Sequence, residues 1–356
     1  MKPFFCAAAA QRAGESLGGT AGQYQTYILI ECPTPWATKA FDSKDIPPAL
    51  RRYIKDISAE KSVRFLCIDR ESDRTSEQTS LLIYERNGQS KQPKGLLEPG
   101  EFSSGYRGYE FRLASLEQVV ACLEAYWQSC ASKDGHELVC GENIGKRIEK
   151  QDILICTHGM RDKCCAKLGR SVFRGAQRMA RKEILPNARV WKTSHIGGHR
   201  FAPTAITLPD GRYYGRLSLS ALKAMLTRNG DINQLRPVYR GWGILPQPLQ
   251  LLEQTLFFQQ GWAWLDHSVA YQQPSLEAGS DAVLAKLSAK HPDGTVVHYR
   301  AKFIRDEEKT YCGKASCSDT SPSEIVKYAI AEYSIDKRTN SPDREKPSSL
   351  KAISAS

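Results

Sequence analysis

Five side chains that commonly bind metals stand close together in the middle of the chain. Cys156, Cys164 and Cys165 come first, and His195 and His199 follow. Seven residues separate Cys156 from Cys164, eight separate it from Cys165, and twenty-nine separate Cys165 from His195. Thiolates and imidazoles are the preferred ligands of zinc and iron. Any one of these residues alone would be an ordinary buried thiol or hydrogen-bonded ring. Together they predict a metal site, with the choice between Cys164 and Cys165 left open by spacing.

The two histidines are predicted to lie on a tight loop. Gly197 and Gly198 stand between them, and two glycines inside a helical turn would cost about 2 kcal/mol. Glycines permit positive φ, so we expect the loop to wrap a cofactor. Pro203 prevents a following helix. The spacing also lacks the short C-x-x-C and the short cysteine-to-histidine gap of common zinc fingers.

The elements that must position these residues repeat along the chain. Apolar runs predict strands, and amphipathic stretches predict helices, in the order strand, helix, strand, two strands, helix. The strands are predicted at 27–32, 63–68, 80–84, 109–113, 152–156, 189–194, 204–208 and 212–217, and the longer helices at 116–130, 164–184 and 218–226. Ser218 or Ser220 is the expected cap of the last helix. This order predicts an α/β fold of two thioredoxin-like units in tandem, with the metal site on the second.

The predicted domain boundaries follow from this repeated order of strands and helices. We expect residues 1–131 to form a degenerate thioredoxin-like unit without a cluster, residues 132–147 a linker, and residues 148–265 the metal-binding unit. Residues 266–335 are expected to form an α+β extension, with a strand at 295–303 and a helix at 323–333. The polar tail, residues 336–356, is expected to be disordered.

Composition narrows the class of protein. The chain has 356 residues, a net charge of +11 and eleven cysteines. It has no apolar run of the roughly 20 residues that a membrane helix needs and no convincing signal peptide, so we expect a cytoplasmic protein without a membrane span. An odd cysteine count and the lack of C-x-x-C argue against a disulfide framework or a dithiol enzyme. The positive charge is dispersed, which favours an acidic protein partner over specific nucleic-acid binding.

Two blocks around the metal-binding residues carry a family resemblance. CTHGMRDKCCAKLG (156–169) and SHIGGHRFAPTAITLPDGRYYGRL (194–217) resemble signature blocks of the sucrase/ferredoxin-like family of thioredoxin-fold [2Fe–2S] proteins. FFCAAAAQRAGESLGGTA (4–21) and LIECPTPW (29–36) resemble its N-terminal blocks, so the similarity extends over residues 1–265. It implies a [2Fe–2S] cluster held by Cys156, Cys165, His195 and His199. Cys165 is preferred to Cys164 because the family position is the second of the pair.

Such a ligand set predicts electron transfer between a redox donor and an acceptor protein. Two thiolates and two neutral imidazoles carry less negative charge than four thiolates, which raises the reduction potential. Imidazole titration would couple reduction to proton uptake. The alternatives are a zinc-binding interaction module with the same ligands and a cysteine-dependent enzyme built on Cys156 and His158. Sucrose hydrolysis is not supported, because no positioned carboxylate pair is recognisable.

Other residues are expected to surround the site. Asp162 is the expected helix N-cap, and Ser194 could donate to a sulfur atom. A basic surface is expected to stabilise added negative charge and to bind an acidic partner. The surrounding residues are His158, Arg161, Asp162, Cys164, Ser194, Gly197 and Gly198, and the basic ones are Lys163, Lys167, Arg170, Arg174, Arg178 and Arg200. Cys312 and Cys317 lie outside the signature blocks and are assigned to no site.

Overall fold

The structure is a computed structural model that describes residues 4–70, 78–87, 102–131, 139–140, 143–185 and 187–339. The first half contains α1 (Cys6–Arg12), β1 (Thr26–Glu31), α2 (Pro48–Glu60), β2 (Val63–Asp69), β3 (Thr79–Arg86), β4 (Tyr106–Leu113) and α3 (Gln118–Ala131). Three short strands follow: β5 (Val139–Cys140), β6 (Asn143–Ile144) and β7 (Lys146–Arg147).

The second half repeats the order of the first. It contains β8 (Gln151–Cys156), a π-helix (Cys165–Gly169), α4 (Arg170–Arg181), β9 (Ala188–Thr193), β10 (Ala205–Leu208), β11 (Arg212–Tyr214), α5 (Leu219–Thr227), β12 (Tyr239–Trp242) and α6 (Gln247–Gln260). The remaining strands are β13 (Ser268–Leu276), β14 (Val283–Lys290), β15 (Val296–Arg305), β16 (Tyr311–Gly313), β17 (Ser323–Ile325) and β18 (Tyr328–Thr339).

A ten-stranded mixed sheet joins the two halves, in the order β12-β11-β10-β8-β9-β2-β1-β3-β4-β7. In the first half β1 is parallel to β2 and antiparallel to β3, which pairs with β4. In the second half β8 is parallel to β9 and antiparallel to β10, which pairs with β11. The halves meet where β2 and β9 pair antiparallel, at Ile68 with Thr193 and Asp69 with Lys192. The predicted α/β class is therefore confirmed.

Alternating side chains of the central strands reach two different cores. Ile28 and Ile30 of β1 pack in one cluster with Leu50 of α2 and Val119 of α3. Leu29, between them, belongs to a second cluster that is built largely from the second half and from β13–β15. Because successive strand residues point to opposite faces, a strand with apolar residues at every position is one covered on both sides. This explains the continuous apolar runs of the sequence.

The predicted helix at 323–333 is wrong. That stretch forms β17 and β18, and β18 pairs antiparallel with β15 from Tyr328 opposite Arg305 to Thr339 opposite Val296. Between Ser268 and Thr339 the described elements are strands, so the extension is not α+β. Pairing with a distant strand supplies backbone hydrogen bonds that local propensity cannot anticipate.

Three predicted boundaries also shift. β7, at the end of the predicted linker, adds to the sheet by pairing with β4, while 132–138 and 141–142 lie outside the described residues. The expected tail begins inside β18, and residues 340–356 lie outside the described ones. The helix predicted at 164–184 begins at residue 163, passes through the π-helix and ends at Arg181. No helix within the described ranges is both long and apolar enough to cross a bilayer.

Candidate metal centre

The carboxyl ends of two parallel strands bring Cys156 and His195 together. Cys156 ends β8 and stands in register with Thr193 of β9, two residues before His195. The amide of Cys156 donates to the Thr204 carbonyl at 3.0 Å, and the amide of Thr157 donates to the Thr193 carbonyl at 3.2 Å. Neighbouring parallel strands end at the same edge of a sheet, so the chain leaves β8 and β9 at one place. The sheet therefore positions a thiol beside an imidazole.

The π-helix adds the second thiol. A Cβ atom on Gly169 would lie 2.0 Å from the Cys156 carbonyl oxygen, so the helix packs against the end of β8 at a distance only glycine permits. Cys165, the first residue of that helix, then faces Cys156. The ligand atoms of Cys156, Cys165 and His195 all lie within 4.8 Å of one another. Both cysteines are buried, whereas His195 is partly exposed.

The charge state of the two thiols favours metal binding. The hydrogen bond from Cys165 lowers the pKa of Cys156 well below its usual value, against the opposing effect of burial, and His195 lowers it further. The same hydrogen bond and burial raise the pKa of Cys165. The lowered pKa of Cys156 favours its thiolate, which is the form that binds metals. Within the described part of the chain, His195 Nδ1 is buried and has no hydrogen-bond partner. This is expected of a nitrogen that binds a metal.

His199 lies next to His195 but outside this three-donor group. Gly197 has φ of 84° and Gly198 has φ of 72°, which is the loop that the glycine pair predicts. His199 Nδ1 is 3.2 Å from His195 Nε2, and the ring centroids are 4.8 Å apart. The His199 ring also hydrogen-bonds the carbonyl of Ala315, and burial lowers its pKa. A second imidazole therefore lies beside His195, in contact with it and with the segment around Ala315.

His158 and Ser194 hydrogen-bond backbone groups around the site. His158 Nε2 is 2.7 Å from the Ala37 carbonyl oxygen, and its Nδ1 accepts from the His195 amide at 3.3 Å. These bonds place the proton on Nε2 of a neutral ring, consistent with a pKa that burial lowers. Ser194 Oγ accepts from the Cys67 amide at 3.0 Å. This contact ties the site to β2, and the donation from Ser194 to a sulfur stays a prediction.

Two arginines support the histidine loop, and the sequence did not indicate either. Arg240 of β12 donates to the Gly197 carbonyl at 3.1 Å, and Arg64 of β2 donates to the His195 carbonyl at 2.5 Å. A Cβ on Gly198 would lie 2.7 Å from the Arg240 guanidinium. These arginines come from strands far away in sequence, so no local pattern could have revealed them.

Cys164 belongs to a different group of side chains. The structure puts it beside Asp162, whose Oδ1 accepts from the Cys164 amide at 2.8 Å, as an N-cap would. Cys164 Sγ is also 3.5 Å from the sulfur of Cys317, a residue the sequence assigned to no site. Arg161 is exposed. Adjacent cysteines therefore face separate donor groups.

The predicted basic surface is present on one side of the π-helix and α4. Its five exposed residues line an open groove of about 710 Å³, together with Phe5, and are Lys163, Lys167, Arg170, Arg174 and Arg178. Arg200 is not among them, because it pairs with the buried Glu15 at 2.8 Å. We refer to the five as the basic face.

The fold and this site define a mixed α/β protein in which two buried cysteine donors meet a partly exposed histidine donor. The family model described as sucrase/ferredoxin-like matches residues 17–241, more than half of the chain. The chain belongs to the sucrase/ferredoxin-like family, and the resemblance carried by the two signature blocks is confirmed. No curated protein and no solved structure matches the chain. The family and the donor groups together indicate a redox or metal-binding role.

Proposed function

We propose that this protein is a [2Fe–2S] electron-transfer protein whose cluster is held by Cys156, Cys165, His195 and His199. The observation that carries the proposal is the convergence of two buried cysteine sulfurs and one histidine nitrogen within 4.8 Å. His199, whose ring lies 3.2 Å from that of His195, is the fourth ligand of this proposal.

The residues suit that group chemically. Thiolates and imidazoles are established ligands of [2Fe–2S] clusters, and mixed ligation raises the potential relative to four thiolates. Cys156 and Cys165 lie on the buried side, and the partly exposed His195 and His199 lie toward solvent. When bound, the cluster supplies reversible one-electron transfer. The ring nitrogens that do not bind metal would exchange protons with solvent, which supports proton-coupled reduction.

The surrounding fold supports the rest of the proposal. The repeated strand order of the two halves favours two thioredoxin-like units in tandem, of which the second holds the cluster. The basic face lies on the helices that follow Cys165 and would attract an acidic donor or acceptor protein. The ten cysteines whose side chains are described are free thiols, which suits a reducing compartment such as the cytoplasm.

One observation favours a second function. Three donor atoms within 4.8 Å of one another are close enough together for a single tetrahedral ion. A zinc ion in this place would make the site a structural centre without electron transfer. A cysteine-dependent enzyme is less well supported, because both ring nitrogens of His158 are engaged by backbone groups.

Metal analysis and spectroscopy distinguish the cluster from a zinc site. The full chain is purified without oxygen, iron, sulfide and zinc are assayed on one sample, and visible and EPR spectra are recorded. We expect two irons and two sulfides per chain, and a reduced EPR signal with the low average g of histidine-ligated clusters. A colourless protein with zinc bound by Cys156 and Cys165 would move the assignment to the structural centre.

Variants assign the ligands. Cys156→Ala and His195→Ala should abolish the visible spectrum, whereas Cys312→Ser and His298→Ala, which change residues of the extension outside both donor groups, should leave it intact. An unchanged spectrum in His195→Ala would refute histidine ligation. His195→Cys should retain iron and lower the midpoint potential by on the order of 100 mV. It should also reduce the pH dependence, which for one proton per electron approaches about 59 mV per pH unit.

A further inference from the structure

A second group of thiols lies beside the first. The sulfur of Cys6 is 3.6 Å from that of Cys164, the Cys164 sulfur is 3.5 Å from that of Cys317, and the Cys317 sulfur is 3.4 Å from that of Cys6. Asp162 Oδ2 is 3.7 Å from the Cys6 sulfur. All four ligand atoms lie within 4.8 Å of one another. Three sulfurs and one carboxylate oxygen thus surround one point.

The size of the sulfur triangle matches a shared ion better than a covalent bond. A disulfide has an S–S length of about 2.05 Å, far below these separations. Zinc bound by thiolates at about 2.3 Å in a tetrahedron holds its sulfurs about 3.8 Å apart. The three nearly equal separations are close to that figure, and a disulfide would draw two sulfurs together and exclude the third.

The backbone is arranged to support thiolates at this place. The Cys6 amide donates to the Cys317 sulfur at 3.3 Å, and the Ala7 amide donates to the Cys164 sulfur at 3.5 Å. Asp162 is itself oriented, because it accepts from the amides of Cys164 at 2.8 Å and Cys317 at 3.1 Å. Hydrogen bonds that orient ligands in this way are typical of built metal sites.

We propose that Cys6, Cys164 and Cys317, with Asp162 as the fourth ligand, bind one zinc ion in a closed structural site. Zinc takes four ligands in such sites, and here Cys6, Cys164 and Asp162 are buried while Cys317 is half-buried. The ion would join three distant segments: the start of α1, the loop before the π-helix, and the loop between β16 and β17.

This site is independent of the proposed cluster because the two share no ligand. Cys6 and Cys317 also lie outside residues 17–241, so the family match does not include the complete set. Zinc bound here and iron bound by Cys156 and Cys165 are therefore separable by substitution.

The test measures zinc by mass spectrometry on the full chain expressed with iron and zinc supplied. We expect Cys317→Ser and Cys6→Ser each to lose one zinc per chain while the visible spectrum of the cluster remains. Cys312→Ser is the matched control, since it changes an exposed cysteine of the same segment, and it should retain the zinc. Cys156→Ala should lose colour and keep this zinc.

Three results would overturn the proposal: no zinc in the wild-type chain, equal zinc in Cys317→Ser and Cys312→Ser, or a disulfide among the three cysteines found by thiol titration after denaturation without reductant. Far-UV circular dichroism checks that each variant folds. Should Cys317→Ser fail to fold, cobalt substitution of the Cys156→Ala chain decides, because this variant keeps the three thiols of the zinc site but has lost one of the two thiols of the proposed cluster site. Tetrahedral cobalt bound by thiolates absorbs strongly in the visible range, and a Cys156→Ala chain without this absorption would refute the site. A chain that holds this zinc but no iron would refute the proposed function and leave the zinc site standing.

Discussion

Replacing Glu15 with glutamine should destabilise the protein measurably. The Glu15 side chain is fully buried, and two cations depend on it. Arg200 Nε donates to it at 2.8 Å, and Lys327 Nζ donates to it at 2.8 Å. Tyr311 adds a third hydrogen bond at 2.8 Å. The carboxylate thus links the N-terminal segment, the turn after His199 and the extension.

The size of the effect follows from the burial of the partners. Glutamine keeps the shape and one acceptor oxygen but leaves two cations without a counter-charge. Removing one partner of a buried ion pair costs about 3–5 kcal/mol, and we take about 3 kcal/mol because Arg200 keeps 19% of its side-chain surface exposed. The entropy of unfolding of 356 residues is about 0.75 kcal/mol per kelvin. We therefore expect the melting temperature to fall by about 4 °C.

The pH dependence provides a second readout. Burial alone would raise the pKa of Glu15, but the charges of Arg200 and Lys327 and the hydrogen bond from Lys327 outweigh it, so the pKa is lowered. A lowered carboxyl pKa contributes stability above its unfolded value of about 4.3, and the contribution is lost as pH falls through the folded value. The difference between the wild type and Glu15→Gln should thus be full at pH 7 and shrink below about pH 4.

The assay is calorimetry at pH 7 and at several acidic values, with Glu307→Gln as the control. Glu307 pairs with Arg305 at 2.8 Å, but its side chain is 73% exposed. The Glu307→Gln variant should therefore have the same melting temperature as the wild type. Equal melting of Glu15→Gln and the wild type at pH 7 would refute the reasoning. A difference that stays constant down to pH 3 would show that the loss is steric and not electrostatic.

Three further perturbations test other parts of the structure. Gly169→Ala places a Cβ 2.0 Å from the Cys156 carbonyl oxygen, so the metal content of the Cys156 site should fall. Ser171→Ala, on the helix that follows, should not change the metal content. Equal iron in the two variants would contradict the packing of Gly169 against Cys156. Ser218→Ala removes the hydroxyl that caps α5 at 3.1 Å and should lower the free energy of unfolding by about 1 kcal/mol in urea titrations, an effect absent if the cap is not formed in solution. Arg174→Glu on the basic face should slow oxidation of the reduced protein by hexacyanoferrate(III) severalfold at low salt, and the difference should vanish at high salt; identical rates at low salt would argue against electrostatic attraction.

Local patterns predicted the elements near the site well. The glycine pair indicated the positive-φ loop, Ser218 indicated the cap of α5, and the apolar runs indicated the central strands. Each of these depends on a few neighbouring residues, whose backbone preferences are expressed in any fold. The helix predicted at 323–333 failed because its true partner, β15, begins more than twenty residues earlier, and hydrogen bonding to that strand outweighs local preference.

The sequence by itself determined the candidate ligands of the first donor group, the repeated α/β order and the family. Tertiary structure alone decided how those side chains are grouped. Cys164 and Cys165 are adjacent in sequence yet face different donors, because successive residues of a helical turn point in directions about 100° apart. Cys6 and Cys317 are separated by 311 residues and meet at 3.4 Å. No spacing rule connects residues so far apart, and only the packing of the extension against the N-terminal helix brings their sulfurs together.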